Sequence, residues 1–227
     1  MKTVVIIGGS KGIGAAISNS LLETHKIINV SRSQPELMHQ NLTHYACDVL
    51  ADELPEIEKV DSLIYCPGSI NLKPFERLKI EDFKNDFDIN FIGAVKAIQK
   101  YIPKLKEADK ASILMFSTVA SKLGMPFHTS VASVKSAIEG LVISLAAEYA
   151  PKIRINAIAP TVTDTTLASK LLRNDRQKEQ MIERHPLKKY LSPEEVAEMA
   201  SFLISEKSAS MSGQIFEMDC GITTFKN

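Results

Sequence analysis

The segment from Val4 to Gly14, VVIIGGSKGIG, constrains the fold more than any other part of the chain. Its four consecutive β-branched residues read as a buried strand, and the apolar positions beyond Gly14 read as one face of a helix. Between them, Gly8 and Gly12-Ile13-Gly14 stand where the backbone must turn sharply and lie bare. A helix opening directly after such a turn aims its first N–H groups at whatever lies above it, which suits an anion such as a pyrophosphate. A glycine cluster alone is a weak signal. Placed between an N-terminal strand and an amphipathic helix, it predicts a dinucleotide-binding turn.

The rest of the chain repeats the same alternation. Apolar runs bounded by turn residues recur at Thr3–Ile7, Ile27–Val30, Thr43–Ala46, Ser62–Cys66, Ser112–Phe116, Arg154–Ala159 and Gln214–Met218, which predicts about seven strands. Helical patterns lie near Ile13–Glu23, Ile80–Lys106, Phe127–Tyr149, Thr165–Arg184 and Pro193–Ser205. Val/Ile-rich strands separated by amphipathic helices form a parallel sheet covered on both faces, so the expected class is α/β, a doubly wound Rossmann-type domain. No internal repeat or Gly/Ser linker divides residues 1–227, which predicts one domain. The stretch from Asp48 to Asp61 is too short for a full crossover helix, so a truncated connection is expected there.

Charge and cysteine usage narrow the function. Lys plus Arg equals Asp plus Glu at 27 each, so no basic excess points to nucleic acid or to an anionic membrane surface. Uninterrupted apolar runs fall short of a bilayer span, and Val4–Ile7 is too short for a signal-peptide core, so a cytoplasmic protein is expected. Cys47, Cys66 and Cys220 form an odd set without CxxC spacing, which predicts buried free thiols rather than disulfides or a metal site. A small-molecule partner fits this balance best.

Against that background, the run Ile7-Gly8-Gly9-Ser10-Lys11-Gly12-Ile13-Gly14 resembles the T-G-x-x-x-G-I-G pattern of the short-chain dehydrogenase/reductase family, departing only at the leading Thr. The resemblance covers essentially the whole chain. It continues through Asp48-Val49, Asn90, the run Arg154-Ile155-Asn156-Ala157-Ile158-Ala159-Pro160, Ser212-Gly213-Gln214 and Asp219-Cys220-Gly221. It implies a nicotinamide dinucleotide held by Gly8, Ser10, Lys11, Gly12, Ile13, Gly14, Asp48, Val49, Gly68, Lys135, Pro160, Thr163 and Thr165. NAD usually meets an acidic residue at the end of the second strand, but here that strand ends Val30-Ser31-Arg32-Ser33. Lys11 and Arg32 suit a 2′-phosphate, so NADPH is expected over NADH.

The catalytic pattern breaks at one position. The family pairs a Ser with Tyr-x-x-x-Lys; Lys135 matches the Lys, whereas Val131 occupies the Tyr position. The usual spacing back to the Ser falls on Thr118, with Ser117 as the neighbouring hydroxyl, turned to the opposite side by strand alternation. Valine transfers no proton, and losing a positioned general acid costs on the order of 10² to 10⁴ in rate. Three readings follow. In the first, His128 is a relocated acid, because it stands seven residues before Lys135 on one helix face, a spacing that resembles the Tyr-x₆-Lys of enoyl reductases. The second is reduction of a conjugated C=C, with Tyr65 offering a phenol or packing in the core. The third is a catalytically silent nucleotide-binding protein, a redox sensor or scaffold.

On the substrate side, Thr161 replaces the glycine of the family's P-G-x-x-x-T, and a β-branched residue there disfavours positive φ. Residues Thr165 to Arg184 read as an amphipathic lid helix with basic flanks. The resemblance further implies a homodimer or homotetramer, with Phe87, Ile89, Phe91, Ala94, Ile98, Ile138, Leu141, Val142 and Leu145 forming either a partner face or core. The combined expectation is an NADP-dependent oxidoreductase acting on a carbonyl or activated double bond. In it, Thr118 binds the carbonyl, Lys135 holds the ribose, Asn90 holds a water or a helix kink, and His128 supplies the proton.

Overall fold

The computed structural model describes residues 1–225. Strands β1 (Lys2–Ile7), β2 (His25–Ser31), β3 (Leu42–Ala46), β4 (Ser62–Tyr65), β5 (Ala111–Phe116), β6 (Ile153–Pro160) and β7 (Ile215–Met218) form one sheet in the order β3-β2-β1-β4-β5-β6-β7. Every pairing is parallel. The helices are α1 (Gly12–Leu21), α2 (Ile80–Phe87), α3 (Gly93–Glu107), α4 (Thr129–Tyr149), α5 (Asp175–Arg184) and α6 (Pro193–Ile204). The sequence expectation of a doubly wound α/β domain thus holds.

Strand periodicity divides the core. Val5, Ile7, Ile28 and Val30 face one cluster with Ala97, Ile98 and Tyr101 of α3 and Ile138 and Val142 of α4. Val4, Ile6 and Ile27 face the other, with Ile17 and Leu21 of α1 and Val196, Ala200 and Leu203 of α6. β1, β2, β4, β5 and β6 are therefore buried on both sides, which is why they read as continuous apolar runs, whereas the edge strands β3 and β7 are only partly buried. Ala94, Ile98, Ile138 and Val142 belong to this core; Ile89, Phe91, Leu141 and Leu145 pack partly buried against it.

From β1 the chain runs outward to β2 and β3, then returns to β4 on the other side of β1. The carboxyl ends of β1 and β4 therefore lie side by side, Ile7 opposite Tyr65, at the point where the winding reverses. Doubly wound folds bind their ligands at such a switch point. Neither edge connection, 32–41 nor 47–61, contains a helix, in line with the truncated crossover expected after Asp48.

Two helices differ from expectation. The pattern over 80–106 is α2 and α3 joined by a π-helical segment, Asp88–Ile92. The lid helix expected from Thr165 to Arg184 is not continuous: a 3₁₀ turn at Thr166–Ala168 is followed by irregular chain, and α5 starts only at Asp175. Burial of Ala168 and Leu172 pulls that chain inward, and Asn174 restarts the helix by accepting from Gln177 N at 2.9 Å. Helix α4 is long and apolar enough by composition to cross a membrane, with a mean hydropathy of 1.4. Here it is a core helix, with Val134, Ile138 and Val142 buried in the domain.

Candidate active site

The glycine turn is built as the sequence suggests. Gly8 (φ +78°) and Gly12 (φ +53°) occupy left-handed backbone, and a β-carbon at Gly14 would lie 2.2 Å from Gly8 O, so the first helical turn sits directly on the end of β1. Lys11 stands exposed at the N-cap of α1. Side chains not anticipated from the sequence hold the turn from below. Asn29 of β2 accepts from Gly9 N at 3.0 Å and donates to Ser10 Oγ at 3.0 Å, while Ser18 Oγ donates to Gly14 O at 2.9 Å. Ser10 is itself buried, 2.5 Å from both Ser31 Oγ and Ser33 O, so its hydroxyl ties the turn to the chain after β2. Nothing in the motif distinguished that role from ligand contact.

On one flank of the turn, Arg32 lies exposed with Nη1 4.0 Å from Asp48 Oδ2. Asp48 Oδ1 accepts from Leu50 N at 2.9 Å, and Val49 beside it is buried in the core. The two charges border a hollow with Gly68, Ser69 and Asn85.

On the other flank a cavity of about 190 Å³ collects most of the remaining expected site residues. Its walls include Ile13, Gly68, Thr118, His128, Val131, Lys135, Pro160, Thr163 and Thr165, with Met125, Leu167 and Met181 making it largely apolar. Thr118 Oγ1 accepts from Ala120 N at 3.3 Å. The adjacent Ser117 is buried and donates to Glu139 Oε1 at 2.6 Å. His128 stands at the N-cap position of α4 without a side-chain capping bond, with Nδ1 2.8 Å from Pro126 O. That carbonyl only accepts, so Nδ1 carries the hydrogen and Nε2 is left for another partner. Thr161 has no positive φ; its hydroxyl lies 2.7 Å from Nε2 of the fully buried His185, whose Nδ1 meets Met181 O at 2.6 Å.

Lys135 is buried, and its Nζ donates to Phe116 O at 2.8 Å. Burial lowers its pKa to about 8, and the charge of the Asp86 carboxylate opposes that shift. Burial conversely pushes Cys66 up to about 12, which keeps it a neutral thiol beside the ammonium. Asn90 lies in the π segment, where Nδ2 donates to Asp86 O at 2.8 Å and to Ser69 Oγ at 3.0 Å. Its Oδ1 is buried without a partner among the described residues. A β-carbon at Gly68 would lie 3.1 Å from that oxygen and 3.7 Å from Lys135 Nζ, so the two polar atoms flank a space that only glycine leaves open. An orphaned acceptor and an ammonium on one side, with bare glycine backbone on the other, fit a ribose and a pyrophosphate.

Tyr65 does not line the cavity. Its phenol donates to Ile89 O at 2.5 Å, and burial raises its pKa well above the ordinary phenol value. Of the two roles open to it in the sequence, packing under the π segment is the one it occupies.

A family model described as enoyl-(acyl carrier protein) reductase matches residues 43–223. A 3-oxoacyl-[acyl-carrier-protein] reductase of Rickettsia felis is 29% identical over 97% of this chain and 96% of its own. A tropinone reductase homologue of Arabidopsis thaliana is 31% identical over 98% of this chain and 91% of its own. Among solved structures, the ligand-free aldohexose dehydrogenase of Thermoplasma acidophilum superposes with a TM-score of 0.91, at 25% identity and over 99% and 95% of the two chains. The chain belongs to the short-chain dehydrogenase/reductase family of oxidoreductases.

Proposed function

We propose that this chain is an NADPH-dependent reductase acting on a carbonyl or conjugated C=C of a small or acyl-type substrate, with His128 as its proton donor. One observation supports this above the others: Lys135, Thr118 and His128 line a single apolar cavity that reaches Ile13 of the glycine turn. The dinucleotide supplies hydride when bound. Lys135 holds ribose hydroxyls through its ammonium, the glycine turn and the N-terminus of α1 hold the pyrophosphate, and Arg32 faces the 2′-phosphate. Thr118 receives its cap bond as an acceptor, which leaves its own hydrogen for a substrate carbonyl. His128, protonated at Nε2 and fixed through Nδ1, gives a proton to the oxygen or carbon that becomes anionic. The apolar walls exclude water from that step and suit an acyl chain better than a sugar. The acyl-carrier substrates in the names of the matched family model and the Rickettsia relative point the same way.

The reductase is read as a cytoplasmic homodimer or homotetramer. Phe87 and Phe91 stack at 4.9 Å on α2 and the π segment, and Phe87 is still exposed, which suits a surface between copies. A second reading is a catalytically silent NADP-binding protein, favoured by Val131 in the cavity wall. NADPH binding followed by fluorescence, then oxidation against ketones, 3-oxoacyl thioesters and enoyl thioesters, separates the two. Turnover with a thioester supports the reductase, and binding without turnover on any of them supports the silent protein.

A further inference from the structure

A second buried charge lies behind the cofactor end of the cavity. Asp86, on α2, is 1% exposed; its Oδ1 accepts from Ser69 Oγ at 2.5 Å and its Oδ2 from Ser130 Oγ at 2.6 Å. Ser130 is fully buried in the first turn of α4, directly before Val131. Ser69 follows Gly68, lines the cavity and accepts from Asn90 Nδ2. The carboxylate therefore joins α2, the π segment, the chain after β4 and the start of α4, which together carry Asn90, Gly68 and Lys135.

A carboxylate removed from water is costly unless it is hydrogen-bonded and opposed by a cation. Two hydroxyl donors meet the first condition, and the Lys135 charge meets the second. Cys66, directly after β4, is a neutral thiol, and Glu139, one turn along α4, is held by the Ser117 and Ser121 hydroxyls that follow β5. Asp86 is the carboxylate whose charge favours the buried ammonium, and the Ser69 it holds follows Gly68, where a β-carbon would lie 3.7 Å from Lys135 Nζ.

We propose that Asp86 is a positioning residue for the cofactor: its carboxylate fixes Ser69 and Ser130 and supplies the counter-charge that keeps Lys135 an ammonium where it meets the ribose. This rests on the assignment of Lys135 to the ribose made above. A merely structural Asp86 would affect folding at every pH, whereas a counter-charge sets the pH at which cofactor affinity is lost.

The test is NADPH affinity by fluorescence titration from roughly pH 6.5 to 9.5 for the wild type, Asp86→Asn and Asp86→Glu. Wild-type affinity is expected to fall as pH rises through about 8, the pH at which Lys135 loses its proton. In Asp86→Asn that fall comes about one pH unit or more lower, the size of shift a close opposite charge produces, and Asp86→Glu restores the wild-type midpoint. Should Asp86→Asn fail to fold, Asp86→Ser carries the same expectation. A midpoint unchanged on removing the charge, or an affinity reduced equally at all pH values, overturns the proposal. A Lys135→Met variant that binds NADPH as well as the wild type instead overturns the ribose assignment, and with it the need for any counter-charge.

Discussion

The phenol of Tyr65 occupies the space in which a side chain at residue 93 would begin: a β-carbon built on Gly93 lies 2.1 Å from Tyr65 Oη. The same oxygen donates to Ile89 O at 2.5 Å. A π-helical turn leaves carbonyls without their usual helical partner, and the tyrosine reaches across from β4 to satisfy one of them. Gly93 opens α3 directly after that turn because the phenol has taken its place. The pair thus fixes the turn that carries Asn90.

Gly93→Ala is expected to destabilise the protein by about 1–3 kcal/mol, the range for overpacking a filled site. Tyr65→Phe alone removes the phenol bond to the part-buried Ile89 O, at about 1 kcal/mol. The double variant should cost less than the two single losses together, because removing the hydroxyl makes room for the methyl. Urea unfolding of all four proteins gives the coupling. Strict additivity would show that the two residues do not compete for space.

Arg32→Ala should weaken NADPH about tenfold or more, since one charge-assisted contact is worth roughly 1.5–3 kcal/mol and tenfold corresponds to about 1.4. NADH, lacking the 2′-phosphate, should change far less. Removing Arg32 also frees Asp48, 4.0 Å away, to oppose the phosphate. Dissociation constants for both cofactors check this, and equal losses for the two would exclude a 2′-phosphate contact.

Much of this architecture could be read from residue order alone, because parallel strands buried on both faces leave continuous Val/Ile runs and the glycine turn needs local backbone freedom. What could not be read depends on distant partners. The lid pattern from Thr165 to Arg184 has helical periodicity, yet burial of Leu172 and the Asn174 cap decide where α5 starts. Ser10 sits inside a ligand-binding motif, but Asn29, Ser31 and Ser33 engage its hydroxyl, and these pairings arise only once β2 lies beside β1. Asp86 is one turn before Asn90, a spacing visible in the sequence; its burial and its bonds to Ser69 and Ser130 are not.

His128→Ala should lower kcat by about 10² to 10⁴, the usual contribution of a positioned acid, with little change in NADPH affinity. The ring lies at the cavity rather than at the glycine turn, and its bond to Pro126 O does not hold the cofactor. Steady-state rates on the best thioester, taken across pH, check this. An unreduced rate at every pH removes His128 from the chemistry.

Lys135→Met should stabilise the cofactor-free protein while destroying its cofactor affinity. The folded pKa of Lys135 is lowered from 10.5 to about 8 by burial, so the unfolded chain binds more protons than the folded one between those values. Wild-type stability owed to this group therefore rises with pH across that window, and the full penalty is present below pH 8. At about 1.4 kcal/mol per pH unit the penalty is on the order of 3 kcal/mol, less what the bond to Phe116 O returns. Methionine removes the charge at similar volume, so its advantage should be largest near neutral pH and shrink toward pH 10.5. Urea midpoints of both proteins near pH 7 and near pH 10 test the sign. A methionine variant less stable than the wild type at neutral pH would mean that the ammonium's hydrogen bond and its attraction to Asp86 outweigh its desolvation.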